Sequence, residues 1–130
     1  MNILKAVVSK ISGGDGLHVI EFDYHGEKLC MMGLELPSIK TGSKVLLSVK
    51  PTHLSLAKGD VENISMSNRI KAKIKEVQNG KILSKIVLDS GFDELESIVT
   101  LSSSLRIDLK KGDEVVMLVK ASELFIKEVL

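Results

Sequence analysis

A segment at the start of the chain returns near its middle, and this repeat constrains the fold more than any other feature. Asn2-Ile3-Leu4-Lys5-Ala6-Val7-Val8-Ser9-Lys10-Ile11 reappears as Asn68-Arg69-Ile70-Lys71-Ala72-Lys73-Ile74-Lys75-Glu76-Val77. In the same register Gly14 meets Gly80, Ile20 meets Ile86 and Asp23 meets Asp89. Further on, Lys40-Thr41-Gly42-Ser43-Lys44-Val45 pairs with Lys110-Lys111-Gly112-Asp113-Glu114-Val115, and Val49 to Leu54 pairs with Val119 to Leu124. The offset grows between Asp23 and Lys40, so the second copy carries a longer connection there. An ordered series of this kind predicts two tandem units, residues 1–60 and 66–130, split near 58–66.

Each unit reads as about five short strands. Lysines alternate with apolar residues from Ile70 to Val77, the period of a strand with one face in water. Gly13-Gly14-Asp15-Gly16 and Asn79-Gly80 mark turns between the first two strands of each copy. Further strands are expected near 82–89, 95–100, 114–120 and 123–128, with one short helical turn between Ser102 and Ile107. The apolar residues are mostly Val, Ile and Leu, which suit strands, and no stretch has the period of a long amphipathic helix. The expected fold class is therefore all-β, two tandem five-stranded barrels resembling the oligonucleotide-binding type. Units this small bury little core alone, so docking or oligomerisation is expected.

Several function classes find no support. There is no His-Glu-x-x-His, no phosphate-binding Gly-x-x-x-x-Gly-Lys loop and no supported Ser-His-Asp order, so an enzyme is not expected. His18, His25 and His53 share no metal-ligand spacing, and Cys30 is the only cysteine, which leaves no bare-metal site and no intramolecular disulfide. Met31-Met32 beside Cys30 point to alternate faces and read as core filling rather than a soft-metal site. A formal net charge of +1 with 3% aromatic residues disfavours a nucleic-acid surface. Neither a signal peptide nor a membrane span is legible, so a cytoplasmic protein is expected.

The polar residues that remain gather in the second copy. They are Ser65-Met66-Ser67-Asn68 ahead of its first strand, Thr100-Leu101-Ser102-Ser103-Ser104 in the middle, and Lys120-Ala121-Ser122 before its last strand. Serine-rich loops commonly do no more than join strands. Hydroxyls, backbone N–H groups and one or two cations are also what a tetrahedral dianion requires, since it needs donors and positive charge and no carboxylate.

The run from Leu95 to Ser104, continuing through Leu109-Lys110-Lys111-Gly112-Asp113-Glu114-Val115, resembles the molybdate-binding Mop domains, also grouped as TOBE domains. So does Leu118-Val119-Lys120-Ala121-Ser122-Glu123-Leu124-Phe125-Ile126. The resemblance covers the second copy end to end. It reaches the first copy through the repeat and through Val49-Lys50-Pro51-Thr52-His53-Leu54-Ser55-Leu56, which also looks like the tail segments of transporter ATPases. It implies a barrel that holds molybdate or tungstate between domains or subunits, with no further cofactor.

Carried over by position, the oxyanion-binding residues would be Ser65, Ser67, Asn68, Thr100, Ser103, Lys120, Ala121 and Ser122, with Arg69, Lys50 and Thr52 as weaker candidates. Two departures stand out. Ser67 replaces the family's arginine, with Arg69 two residues on, and Ala72 replaces a small Gly. The first copy departs further, because Met31-Met32-Gly33-Leu34 stands where hydroxyls should be. One good half-site per chain, completed by another copy or chain in a homo-oligomer, preferably a trimer, is the expectation. The role would be storage, homeostasis or sensing of the anion. The alternative is a free-standing interaction module that regulates a molybdate transporter or a transcription regulator.

Overall fold

The computed structural model describes residues 1–34 and 37–130. The first copy contributes β1 (Asn2–Gly14), β2 (Leu17–Tyr24), β3 (Glu27–Gly33), β4 (Lys44–Val49), a 3-10 turn (Pro51–His53) and β5 (Ser55–Ala57). The second contributes β6 (Asn68–Asn79), β7 (Leu83–Asp89), β8 (Glu94–Thr100), α1 (Leu101–Arg106), β9 (Glu114–Val119), a second 3-10 turn (Ala121–Glu123) and β10 (Phe125–Val129). The all-β class and five strands per copy are as the repeat implies, and α1 occupies the extra length of the second copy.

Strand formation follows the side-chain period. Along β6, buried Asn68, Ile70, Ala72 and Ile74 alternate with exposed Arg69, Lys71, Lys73 and Lys75. β1 repeats the pattern with Asn2, Leu4, Ala6 and Val8 inward. Both long strands carry a bulge at the same repeat position, between Val8 and Lys10 in β1 and between Ile74 and Glu76 in β6. A bulge sharpens the local bend and twist, so one strand can serve two neighbours in different directions. Asp15 and Gly16 turn the chain into β2 with φ values of 54° and 78°, a left-handed pair that suits a two-residue hairpin.

The sheets do not follow the copy boundary. Their strand orders are β10-β4-β1-β2-β3 and β5-β9-β6-β7-β8. Each copy therefore gives its last strand to the other's sheet: β10 pairs with β4, and β5 pairs with β9. This exchange was not legible in the repeat. Nor do the hydrogen-bond ladders close, because β3 and β10 end one sheet while β8 and β5 end the other. The expected barrels are thus five-stranded sheets left open at one seam.

One core spans both copies. Leu4, Phe22, Leu29 and Leu47 from the first and Ile74, Leu88, Leu95 and Met117 from the second belong to a single buried cluster. Each buried aliphatic or aromatic side chain contributes roughly 1.5–3 kcal/mol through the water it leaves. Two halves too small to hold a sufficient core separately share one.

Polar contacts seal the junction in symmetric fashion. Asn2 Nδ2 donates to Glu96 O at 2.8 Å while Glu96 N–H donates to Asn2 Oδ1 at 2.8 Å. Asn68 does the same to Cys30, donating to its O at 2.8 Å and accepting from its N–H at 2.7 Å. An asparagine amide offers one donor and one acceptor side by side, so it can stand in for a strand neighbour at the edges of β8 and β3. Lys58 anchors the connection between the copies: its Nζ donates to Asp108 O at 2.8 Å and lies 3.1 Å from Asp113 Oδ2.

Candidate functional site

The residues expected to bind the anion fall into two groups in the fold. Asn68 lies opposite Val119 and Arg69 opposite Leu118, and this antiparallel register carried one step further sets Ser67 across from Lys120. Ser65, Ser67, Asn68, Arg69, Lys120, Ala121 and Ser122 thus share the end where β6 begins and β9 finishes. Thr100 lies opposite Leu83, beside the far end of β6, where Asn79 faces Ser84. The twelve residues of β6 run from one end to the other, about 35 Å of strand path at the usual rise. The chain does not bring Thr100 and Ser103 to Lys120 along its own sheet.

In the first group, Ser65, Ser67 and Lys120 are exposed, and Ala121 and Ser122 are half-buried. Lys120 forms no ion pair among the described residues. The turn that follows it is tightened by Glu123 N–H donating to Lys120 O at 2.9 Å. No side chain caps this turn, so its leading N–H groups are not satisfied by a cap. Arg69 is drawn away from Ser67 by the linker, its Nη1 donating to Glu62 O at 3.1 Å and to Val61 O at 3.3 Å. Asn68 is 1% exposed and committed to Cys30. Both hydrogen bonds tie the start of β6 to β3 of the other copy.

The second group is organised by a helix cap. Thr100 is the N-cap of α1, its Oγ1 accepting from Ser103 N–H at 3.1 Å and donating to Ser103 Oγ at 2.9 Å. Ser104 is buried against Ser84, which in turn donates to Asn79 Oδ1 at 2.6 Å. Beside this group lies an open groove of about 380 Å³ lined by Asn79, Leu83, Lys85 and Ile98. Leu83 in its lining is exposed, as are Ile82 just before it and Leu105 on α1.

The copies meet crosswise at these ends. The 3-10 turn after Lys50 packs on β8, where buried Ser97 Oγ donates to Leu54 O, and the turn after Lys120 packs on β3. The first copy's weaker pair, Lys50 and Thr52, thus stands on the strand that ends in Thr100. The second copy's Lys120-Ala121-Ser122 faces the strand that carries Cys30, Met32 and, just beyond it, Leu34. Pro51 at the head of the first turn has no N–H to offer, whereas Ala121 at the same place does. The Cys30 thiol is pushed up from its ordinary value, chiefly by burial.

Sequence reasoning did not single out Asn2, Tyr24, His53 or Glu123, all of which join the copies. Asn2 was signalled by its match to Asn68 in the repeat. A larger groove of about 690 Å³ holds none of the expected residues; Lys71, Lys73, Asp89 and Glu114 line it with mixed charge. Among the described residues no group of three His, Cys, Asp or Glu gathers as for a metal ion, and no helix is long and apolar enough to cross a membrane.

Fold and site together define a tandem-repeat, all-β protein whose copies exchange strands. The TOBE domain family model matches residues 64–126. Molybdenum-pterin-binding protein 3 of Clostridium pasteurianum is 31% identical over 65 residues, 49% of this chain and 96% of that protein. Molybdenum-pterin-binding protein 1 of the same organism is 29% identical over the same shares. The chain belongs to the TOBE domain family. Its fold is that of the cytoplasmic molybdate-binding protein ModG, whose molybdate-bound structure matches with a TM-score of 0.87 and 24% identity, covering 96% of this chain and 94% of that one.

Proposed function

We propose that this protein is a cytoplasmic, non-enzymatic binder of molybdate or tungstate that holds the intact anion reversibly for storage, homeostasis or sensing. The observation that carries the reading is the Lys120-Ala121-Ser122 turn of the matched copy. It places a lysine, uncapped N–H groups and a half-buried hydroxyl within three consecutive residues at a strand end, with Ser65 and Ser67 exposed at the same end. Charge-assisted hydrogen bonds of this kind are roughly twice as strong as neutral ones, and no carboxylate of the group competes for the site except Glu123, which is turned toward His53. The relatives named for molybdenum and molybdate point to the same ligand.

The separation of Thr100 and Ser103 from Lys120 supports a site completed by a second chain. The exposed apolar residues Ile82 and Leu83, which adjoin Thr100, and Leu105 on the helix it caps support the same view, since exposed apolar residues that gather are commonly covered. A homo-oligomer, preferably a trimer, is the proposed assembly, with residues 1–60 and 66–130 as its repeating units. Equilibrium dialysis against molybdate with a sulfate competitor tests the reading. Retained molybdenum that excess sulfate does not displace supports it, and no retention by folded protein defeats it.

A further inference from the structure

Contacts between the copies include two kinds that bear on how the copies recognise each other. Some occur as symmetric duplicates: Asn2 on Glu96 is repeated by Asn68 on Cys30, and the turn Pro51–His53 on β8 by the turn Ala121–Glu123 on β3. Two other contacts join a residue to its own counterpart, so no duplicate of them can exist. Tyr24 and Ser90, 66 positions apart, place Oη and Oγ 2.8 Å from each other. His53 and Glu123, 70 positions apart, place Nδ1 and Oε2 2.8 Å from each other. The first offset is that of the early repeat and the second that of the late repeat. A residue can meet its counterpart only on the pseudo-twofold axis that relates the copies.

At both axis points the copies differ in a complementary way. One pair is a large ring against a small side chain. Tyr24 is 1% exposed, and its hydroxyl also donates to Asp93 Oδ2 at 2.7 Å. The other pair is a base against an acid. The neighbouring turns extend the complementarity: the His25 ring stacks on Phe92 with centroids 3.8 Å apart, while the counterparts of these two residues are Gly91 and Gly26. Pairing two first copies would bring Tyr against Tyr and His against His. Pairing two second copies would leave Ser against Ser and set Glu against Glu.

We propose that these axis residues make pairing of the copies heterotypic, so that each repeat recognises the other repeat and rejects a second copy of itself. Such selection has a use in this fold. Each copy gives its last strand to the other's sheet, an exchange that identical repeats on different chains could equally make. Placing a mismatch in the wrong pairing discriminates as effectively as improving the right one.

The test uses the full chain in a double-exchange cycle followed by thermal unfolding. His53→Glu and Glu123→His each set like groups on the axis and lower Tm by roughly 2–5 °C, the scale of a half-exposed charge contact in a domain of this size. Both changes together restore opposite groups and return Tm to within about 1 °C of the parent. Ser90→Tyr with and without Tyr24→Ser makes the same comparison for size, the pair recovering at least half of the single loss. Recovery in the paired variants supports heterotypic selection. Single variants that unfold with the parent, or a His53/Glu123 exchange that loses as much as its two singles combined, overturn it.

Discussion

Replacing Asn68 by Ala separates a structural role from a ligand role at the one expected anion residue that is buried. The amide makes two hydrogen bonds to the Cys30 backbone, at 2.7 and 2.8 Å. Each is worth about 1 kcal/mol net, and the orphaned Cys30 N–H and C=O cost about 1–3 kcal/mol apiece where water cannot reach them. Cys30 is only partly buried, so the low end applies to the orphans, and the two arms of one amide are not independent. The expected loss is about 2–4 kcal/mol, or roughly 6–15 °C in Tm for a chain of this length. Asn2→Ala removes the matching pair of bonds to Glu96 and is expected to cost the same within about 1 kcal/mol. Urea unfolding followed by circular dichroism measures both. Asn68→Ala with a stability loss below about 0.5 kcal/mol would refute the reasoning, and a large loss for Asn68 with none for Asn2 would refute the symmetry behind it.

Lys120→Ala is expected to weaken molybdate binding about 10- to 100-fold by calorimetry, the worth of one charged hydrogen bond, while Lys50→Ala changes it less than about threefold. Thr100→Ala removes the N-cap of α1 and is expected to cost about 1 kcal/mol of stability, measured by urea unfolding. The Lys58 ammonium beside Asp113 holds that carboxyl below its ordinary value. Its folded pKa is therefore lower than its unfolded one, about 3.9. The stabilisation is complete above that unfolded value and disappears as pH falls through the folded one. Asp113→Asn is accordingly expected to flatten the fall in Tm below about pH 4 and to change the slope above pH 6 little.

The repeat, the strand period and the turn glycines were readable because each is a local property of the chain. Alternation from Ile70 to Val77 identifies β6, and the extra length before Lys110 accommodates α1. The exchange of β5 and β10 was hidden, since a strand's own residues state which face is buried and not which sheet supplies its neighbour. Asn68 shows the corresponding limit at the site. Family position marked it for the anion, but its amide geometry matches a strand edge on the other copy. His53 and Glu123 were visible as aligned positions, yet their opposition has meaning only once an axis runs between them. The division of Thr100 and Ser103 from Lys120 likewise follows from sheet topology, which the serine-rich pattern does not encode.

The most direct measurement is calorimetric titration of the folded protein with molybdate, tungstate and sulfate in turn, with Lys120→Ala alongside. Saturable heat with the first two anions is expected, with a response to sulfate at least about tenfold weaker and a clear loss of molybdate affinity in the variant. Equal responses to all three anions, or molybdate binding unchanged in Lys120→Ala, would contradict the proposed function.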